Sequence, residues 1–371
     1  LDKSPEWLTD TTEKFCQDKA IYNAIMDSIK ILDDNGEKKL SKGSIPKILQ
    51  DALGVSFDNH IGHDFIEDAS DRFEFYHRKE QRLQFDLDYF NKITQGGLPN
   101  KTLNIALAGT GVGKSMFMCH CAAANLKDHK NVLYITLELA EERVAERIDA
   151  NLLDCPINEL VDMPRATYDK RMSRLREQSN GKLIIKEYPT ASAGSANFRH
   201  LLNELKIKRN FIPDVIYIDY LNICLSSRLK SGSNVNSYTM IKAIAEELRG
   251  LAVEYNVPIV SATQTTRSGY SNSDVGLEDT SESFGLPATA DFMFALISSE
   301  ELAQQGQIMV KQLKNRYSDP DRYKRFVVGI EKAKMRLADY RLLYQTFREM
   351  PHFYEEGGAE NAFGDYVEGL L

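Results

Sequence analysis

From about residue 80 onward, short apolar runs alternate with stretches whose apolar residues recur every three to four positions. The runs Thr102–Ala108, Val132–Glu138, Leu183–Tyr188, Val215–Tyr220 and Pro258–Gln264 are too short for buried helices and predict strands. Between them Ser115–Leu126, Glu141–Asn151, Ala196–Lys208 and Tyr238–Tyr255 carry helical spacing. Strand–helix alternation predicts the α/β class, with a mostly parallel sheet covered on both faces. Four later runs, Phe292–Ser298, Gln307–Leu313, Phe326–Ile330 and Arg336–Tyr340, have no clear helices between them. They predict antiparallel or mixed pairing at one side of the sheet.

The front of the chain reads differently. Residues 5–32 predict one helix, capped by Thr11 or Thr12, with Tyr22, Ile25, Ile29 and Leu32 on one stripe. The polar, glycine-containing segment 33–44 reads as a linker. Ser44 is a candidate N-cap for a short helix with Ile45, Ile48, Leu49, Ala52 and Leu53 on one face. A helix of about ten residues is marginal alone in water, so that stripe needs a partner. It either folds back on its own domain or docks on a neighbouring subunit.

Length and composition narrow the picture further. The 371 residues suffice for two or three units of ordinary size, and 42% hydrophobic residues exclude a fully disordered chain. A net charge of −8 excludes a generally basic surface, so any nucleic-acid affinity has to be concentrated in a groove or channel. No apolar run approaches a membrane span. The opening LDKSPEW has neither a leader pattern nor an initiator Met and reads as a trimmed or processed start. The 5 cysteines are scattered without a CxxC, which reads as reduced, cytosolic usage. His60 and His63 lack a matching Cys/His pair and read as ordinary residues, not metal ligands. Residues 349–371 contain acids but no Lys or Arg and read as a mobile acidic tail.

One segment carries explicit chemistry. Ala108-Gly109-Thr110-Gly111-Val112-Gly113-Lys114-Ser115 joins an apolar strand to a helix, the context of a phosphate-binding P-loop. Gly109, Thr110, Gly111, Val112 and Gly113 would present backbone N–H groups to phosphate oxygens, reinforced by the helix N-terminus. Lys114 would reach the β- and γ-phosphates of ATP, and Ser115 would bind Mg²⁺. Asp219, ending the run VIYID, fits the second carboxylate directed at Mg²⁺. Tyr220 follows it where many ATPases have the water-activating Glu. Glu138, ending a strand expected beside the P-loop strand, is therefore assigned that role. Gln264 ends the run PIVSATQ, where it either senses the γ-phosphate or simply caps the strand. The segment 265–290 after it is a long Ser/Gly/Asp-rich connection of the kind that carries function.

The series AGTGVGKS, YITLELAEERVAERIDAN, VIYIDYL, PIVSATQTTR, ESFGLPATADFMFALI and KQLKNRY resembles the DnaB-type replicative helicases, in particular those of T4-like bacteriophages, over about residues 5–345. The resemblance implies a RecA-like motor at 58–348, a helical remnant and linker at 1–39, and a linker helix at 40–57 that docks on the next subunit. It implies a homohexameric ring that moves 5′→3′ on single-stranded DNA in the cytoplasm, the host's if phage-encoded; by its composition the acidic segment 349–371 could dock a helicase loader or primase. It implies further that Arg316, with Lys314 beside it, reaches the neighbour's γ-phosphate. Without that resemblance the six Lys/Arg of 311–325 would read as a solvated basic hairpin. The family's DNA-contacting loop falls on Thr280–Gly285: Glu282 and Ser283 match, Ser281 stands where the family has a basic residue, and Phe284 replaces a small one. Backbone N–H groups of Ser281, Glu282, Ser283, Phe284 and Gly285 would then track phosphates. Arg267 follows Gln264 at the family's spacing and would help either DNA or nucleotide. Arg228 and Lys230 are lesser pore candidates, and Arg147 either supports Glu138 or forms a surface ion pair. The alternative is a RecA/RadA-like ATPase that forms filaments for strand exchange.

Overall fold

The computed structural model describes residues 5–33, 44–53, 64–77, 81–229, 236–265, 276 and 285–339. It divides into two compact units, residues 1–79 and 80–371.

The first unit is helical, with α1 (Pro5–Asp33), α2 (Ile45–Leu53) and α3 (Ala69–His77). α1 begins before Thr11 and Thr12, so neither caps it; the Thr12 hydroxyl instead donates to Leu8 O, one turn back, at 2.7 Å. α2 packs against α1, which half-buries Ile45, Ile48, Leu49 and Ala52 and leaves Leu53 74% exposed.

The second unit follows the alternating pattern. Its elements are α4 (Asp88–Ile93), β1 (Leu103–Ala108), α5 (Lys114–Lys127), β2 (Val132–Thr136), α6 (Glu141–Leu152), α7 (Arg165–Gln178), β3 (Leu183–Glu187) and α8 (Ser195–Arg209). Then come β4 (Val215–Asp219), α9 (Ser237–Glu254), β5 (Ile259–Gln264), α10 (Gly285–Thr289), β6 (Phe292–Ile297), α11 (Glu300–Gln304), β7 (Gln307–Asn315), β8 (Arg325–Glu331) and β9 (Arg336–Asp339). Among the described residues the sheet has nine strands in the order β3-β2-β4-β5-β1-β6-β7-β8-β9. The first six pair in parallel, and β7, β8 and β9 add antiparallel pairs at one edge.

Two expectations are corrected. β2 does not lie beside the P-loop strand β1, because β4 and β5 stand between them. The late strands are not free of helix: the five residues of α11 join β6 to β7.

β1, β2, β4 and β6 are buried along their whole length, as expected for strands covered on both faces. One apolar cluster packs α4, α5 and α6 on the sheet, with Phe90, Phe117 and Phe294 in mutual ring contact. A second packs α8 and α9 through Phe198, Leu202, Ile244 and Leu248. All five cysteines are free thiols. Among the described residues, no helix is long and apolar enough to cross a membrane, and no His/Cys/Asp/Glu group is arranged to hold a metal ion by itself.

Candidate active site

β1 ends at Ala108 and α5 begins at Lys114, so Gly109–Gly113 forms the turn between them. Gly111 and Gly113 take φ of +76° and +130°, backbone that L side chains rarely adopt. No atom lies within 4 Å of a Cβ built at either glycine, so conformation rather than crowding demands glycine there. Thr110 and Gly111 are exposed, while Val112, Gly113 and Ser115 are half-buried.

Lys114 is 8% exposed, and its Nζ donates to Ala108 O at 3.2 Å and Gly109 O at 3.1 Å. Burial lowers its pKa, with the charges of Glu138 and Asp219 opposing that shift. A desolvated ammonium whose hydrogen bonds go to neutral carbonyls is a poor resting place for charge, and a polyphosphate would supply an anion in direct contact.

Asp219 closes β4 and is fully buried. Its Oδ2 accepts from the Tyr134 hydroxyl at 3.0 Å. Its Oδ1 is the one buried side-chain polar atom among the described residues without a hydrogen-bond partner. Burial raises the Asp219 pKa, against the nearby Ser115 and Tyr134 hydroxyls, which favour the charged form. An orphaned carboxylate oxygen close to a serine hydroxyl is the hard-oxygen donor set that suits Mg²⁺, so these residues fit that ion.

Tyr220 follows through a cis peptide bond. Its hydroxyl accepts from Gln264 Nε2 at 3.1 Å, and its ring centroid lies 6.0 Å from Lys114 Nζ. Gln264 closes β5 in register with Ala108. Glu138 is exposed in the bend after β2, and its charge acts on Lys114, Asp219 and Tyr220. The carboxyl ends of β1, β2, β4 and β5 therefore bring together Lys114, Ser115, Glu138, Asp219 and Gln264, although β2 is not the neighbour of β1. Tyr134 and Tyr220 join them unforeseen. The first read only as a strand residue, and the second only as the position where a Glu was missing. Arg147, half-buried on α6, contributes positive charge near Asp219.

Lys314 and Arg316 lie elsewhere. Lys314 is registered with Met293 and Asn315 with Phe292, which in turn sits beside Asn104, at the amino end of β1. At about 3.3 Å per residue, that is roughly 13 Å of strand away from Ala108, at the opposite end of the sheet. Lys314 Nζ donates to Pro287 O at 2.5 Å and Ala288 O at 3.1 Å, and Arg316 Nη1 donates to Asp291 Oδ1 at 2.7 Å. Burial, with Arg316 nearby, lowers the Lys314 pKa.

Of the expected DNA-facing residues, Arg267, Ser281, Glu282, Ser283, Phe284 and Lys230 lie outside the described residues, as do His60, His63 and the acidic segment 349–371. Gly285 is buried at the start of α10, where a Cβ would come within 2.9 Å of the Lys242 side chain. Arg228 is paired with Glu246 at 2.9 Å and Glu247 at 3.6 Å, which holds it at the base of the segment after β4.

The model of the DnaB-like helicase C-terminal domain matches residues 83–332. A DnaB-like replicative helicase of Enterobacteria phage T4 is 44% identical over 349 residues, covering 91% of this chain and 73% of that one. A probable plasmid replicative DNA helicase of Chlamydia psittaci is 24% identical, covering 62% of this chain and 51% of its own. Among solved structures, a DnaB-like replicative helicase described with its primase interactions superposes with a TM-score of 0.63 at 15% identity, covering 89% of this chain and 77% of that one. A second solved structure, an isolated ATPase domain, superposes with a TM-score of 0.61 at 15% identity, covering 75% of this chain and 99% of that domain. Together they favour the replicative helicase over the filament-forming alternative. By the domain match over 83–332 and the phage relative at 44% identity, the chain belongs to the DnaB-like replicative helicases.

Proposed function

We propose that this chain is the motor of a homohexameric ring that hydrolyses ATP, moves 5′→3′ on single-stranded DNA and separates duplex strands at the fork. The observation that carries this reading is the split of charged groups between the two ends of the sheet. Lys114, Ser115, Asp219, Glu138 and Gln264 gather at one end, and Lys314 and Arg316 at the other. An arginine that cannot reach its own P-loop can complete a neighbour's site in a closed head-to-tail ring.

In this mechanism the amides of Gly109–Gly113 cradle the phosphates, and Lys114 leaves its loop carbonyls for the β- and γ-oxygens. Ser115 and Asp219 Oδ1 would hold Mg²⁺, which, when bound, neutralises charge on the phosphates. Glu138 orients and polarises the attacking water. Gln264 exchanges its bond to Tyr220 for the γ-phosphate and so reports occupancy along β5 to the segment 265–284. Arg316 and Lys314 of the adjacent subunit stabilise charge in the transition state, worth about 10³–10⁵ in turnover. Arg267 and residues 281–285 grip the strand, largely through backbone N–H groups.

Residues 58–348 act as the motor. Residues 1–39 and the linker helix at 40–57 hold neighbours together, and the acid-rich composition of 349–371 suits it to dock a loader. A primase partner is supported by the related helicase described with one. The ring works in the cytoplasm, the host's if the chain is phage-encoded.

Glu138→Gln tests the reading. Unwinding of a forked duplex is expected to fall at least about 100-fold, with nucleotide affinity within about threefold of wild type. Wild-type unwinding by that variant would remove Glu138 from the chemistry.

A further inference from the structure

Asp291 stands between α10 and β6, and its side chain is 5% exposed. Three elements meet on its carboxylate. Oδ1 accepts from Arg316 Nη1 at 2.7 Å and from Arg249 Nη2 at 3.1 Å. Oδ2 accepts from Arg249 Nε at 3.1 Å and from the backbone N–H of Leu103 at 3.0 Å. The backbone repeats the connection: the Asp291 N–H donates to Leu103 O at 2.9 Å, and the Arg316 N–H donates to Asp291 O at 3.1 Å. One buried carboxylate thus joins α9, the end of β7 and the first residue of β1, whose other end is the P-loop.

The two arginines are held unequally. Arg249 grips both oxygens as a fork, the strong and directional form of the pair. Arg316 commits one nitrogen to the carboxylate, and its Nη2 has only a 3.5 Å contact to Ala288 O. It is also the more exposed, at 48% against 38% for Arg249. When Arg316 departs, Asp291 keeps Arg249 and the Leu103 amide, so no buried charge is left bare. Arg316 is therefore the exchangeable partner and Arg249 the fixed one.

We infer that Asp291 is a positioning residue that presents Arg316 to the adjacent subunit's nucleotide, with Arg249 as the permanent counter-cation that lets Arg316 leave. This rests on the proposed trans action of Arg316. A long arginine side chain has many rotamers, and holding it half-exposed in one arrangement beforehand reduces the ordering needed at capture.

The test is ATP turnover by the assembled chain on saturating single-stranded oligonucleotide, with association and melting temperature checked for each variant. The variants are Arg316→Ala, Asp291→Asn, Arg249→Met, and the last two each combined with Arg316→Ala. Arg316→Ala is expected to lose about 10³-fold in kcat. Asp291→Asn is expected to lose about tenfold or more in kcat with KM for ATP within about threefold, and to cause no further loss on top of Arg316→Ala. A merely structural carboxylate would give losses that multiply. Losses that multiply, or wild-type kcat in Asp291→Asn, overturn the inference and leave Arg316 as the finger. Wild-type turnover by Arg316→Ala overturns the underlying reading instead. If Asp291→Asn does not fold, Arg249→Met carries the same criteria. It strands the carboxylate when Arg316 leaves, so its kcat should fall in the parent chain and stay unchanged in the Arg316→Ala background.

Discussion

Glu247 on α9 is 6% exposed in its side chain and collects the Ser195 hydroxyl at 2.6 Å, the Ser226 hydroxyl at 2.5 Å and the Ser227 amide and hydroxyl. Burial by itself would raise its pKa; the hydroxyls of Ser195 and Ser226 and the two Ser227 donors outweigh it and hold the carboxyl at about 2. The folded pKa is below the unfolded one, so its stabilisation is present above pH 4.5 and is lost as pH falls from there toward about 2. Glu247→Gln should lower stability at neutral pH by on the order of 3 kcal/mol and flatten its decline in that acid window, as read by urea unfolding across pH. Lys114 runs the other way. Burial lowers its pKa below the unfolded 10.5, so stability rises with pH as pH passes through that interval. Lys114→Met should leave nucleotide-free melting unchanged or raised by about 1 kcal/mol while abolishing nucleotide binding. A clear loss of melting temperature without nucleotide would contradict the view that this lysine is kept for its ligand.

Among elements, α5 illustrates how the phosphate helix is moored. His120 is buried within it. Its Nδ1 meets two donors, Asn151 Nδ2 at 3.1 Å and the Leu337 N–H at 3.2 Å, and its Nε2 faces Asp86 Oδ1 at 3.0 Å. Two donors on Nδ1 assign the neutral tautomer with the proton on Nε2. One ring thereby fixes α5 to α6, β9 and the segment before α4. His120→Ala should cost about 2–4 kcal/mol in urea unfolding, since two buried donors lose their acceptor, and an unchanged midpoint would show that the mooring is redundant. Three of the helices missing from the sequence reading have physical reasons. α7, RATYDKRMSRLREQ, fully buries no residue and shows only a thin stripe, Tyr168, Met172 and Leu175, half-buried among charged neighbours. α10 and α11 are five residues each, too short for a period to register. The sheet strands were legible to within a residue or two, most directly β1, β2, β4 and β6, where burial on both faces writes a near-continuous apolar run.

For the whole molecule, a net charge of −8 leaves DNA binding to a confined region, and the finger candidate sits at the opposite end of the sheet from its own phosphate loop. Catalysis and assembly should then be inseparable. On dilution below the association range, turnover per chain on single-stranded DNA should drop at least about 100-fold while nucleotide binding by each chain persists. Full turnover from isolated chains in sedimentation-matched assays would refute the shared site.

What the residues dictate unaided is local: the positive-φ glycines of the loop, the Lys-Ser that opens α5, the acid closing β4 and the lengths of the strands. Each follows from dihedral limits or from burial of adjacent positions. Which strands are neighbours, that Gln264 rests on Tyr220, that Tyr134 reaches Asp219 and that Arg316 shares Asp291 with Arg249 were decided only by tertiary structure. Those pairings join residues far apart in sequence, and no periodicity along the chain encodes them.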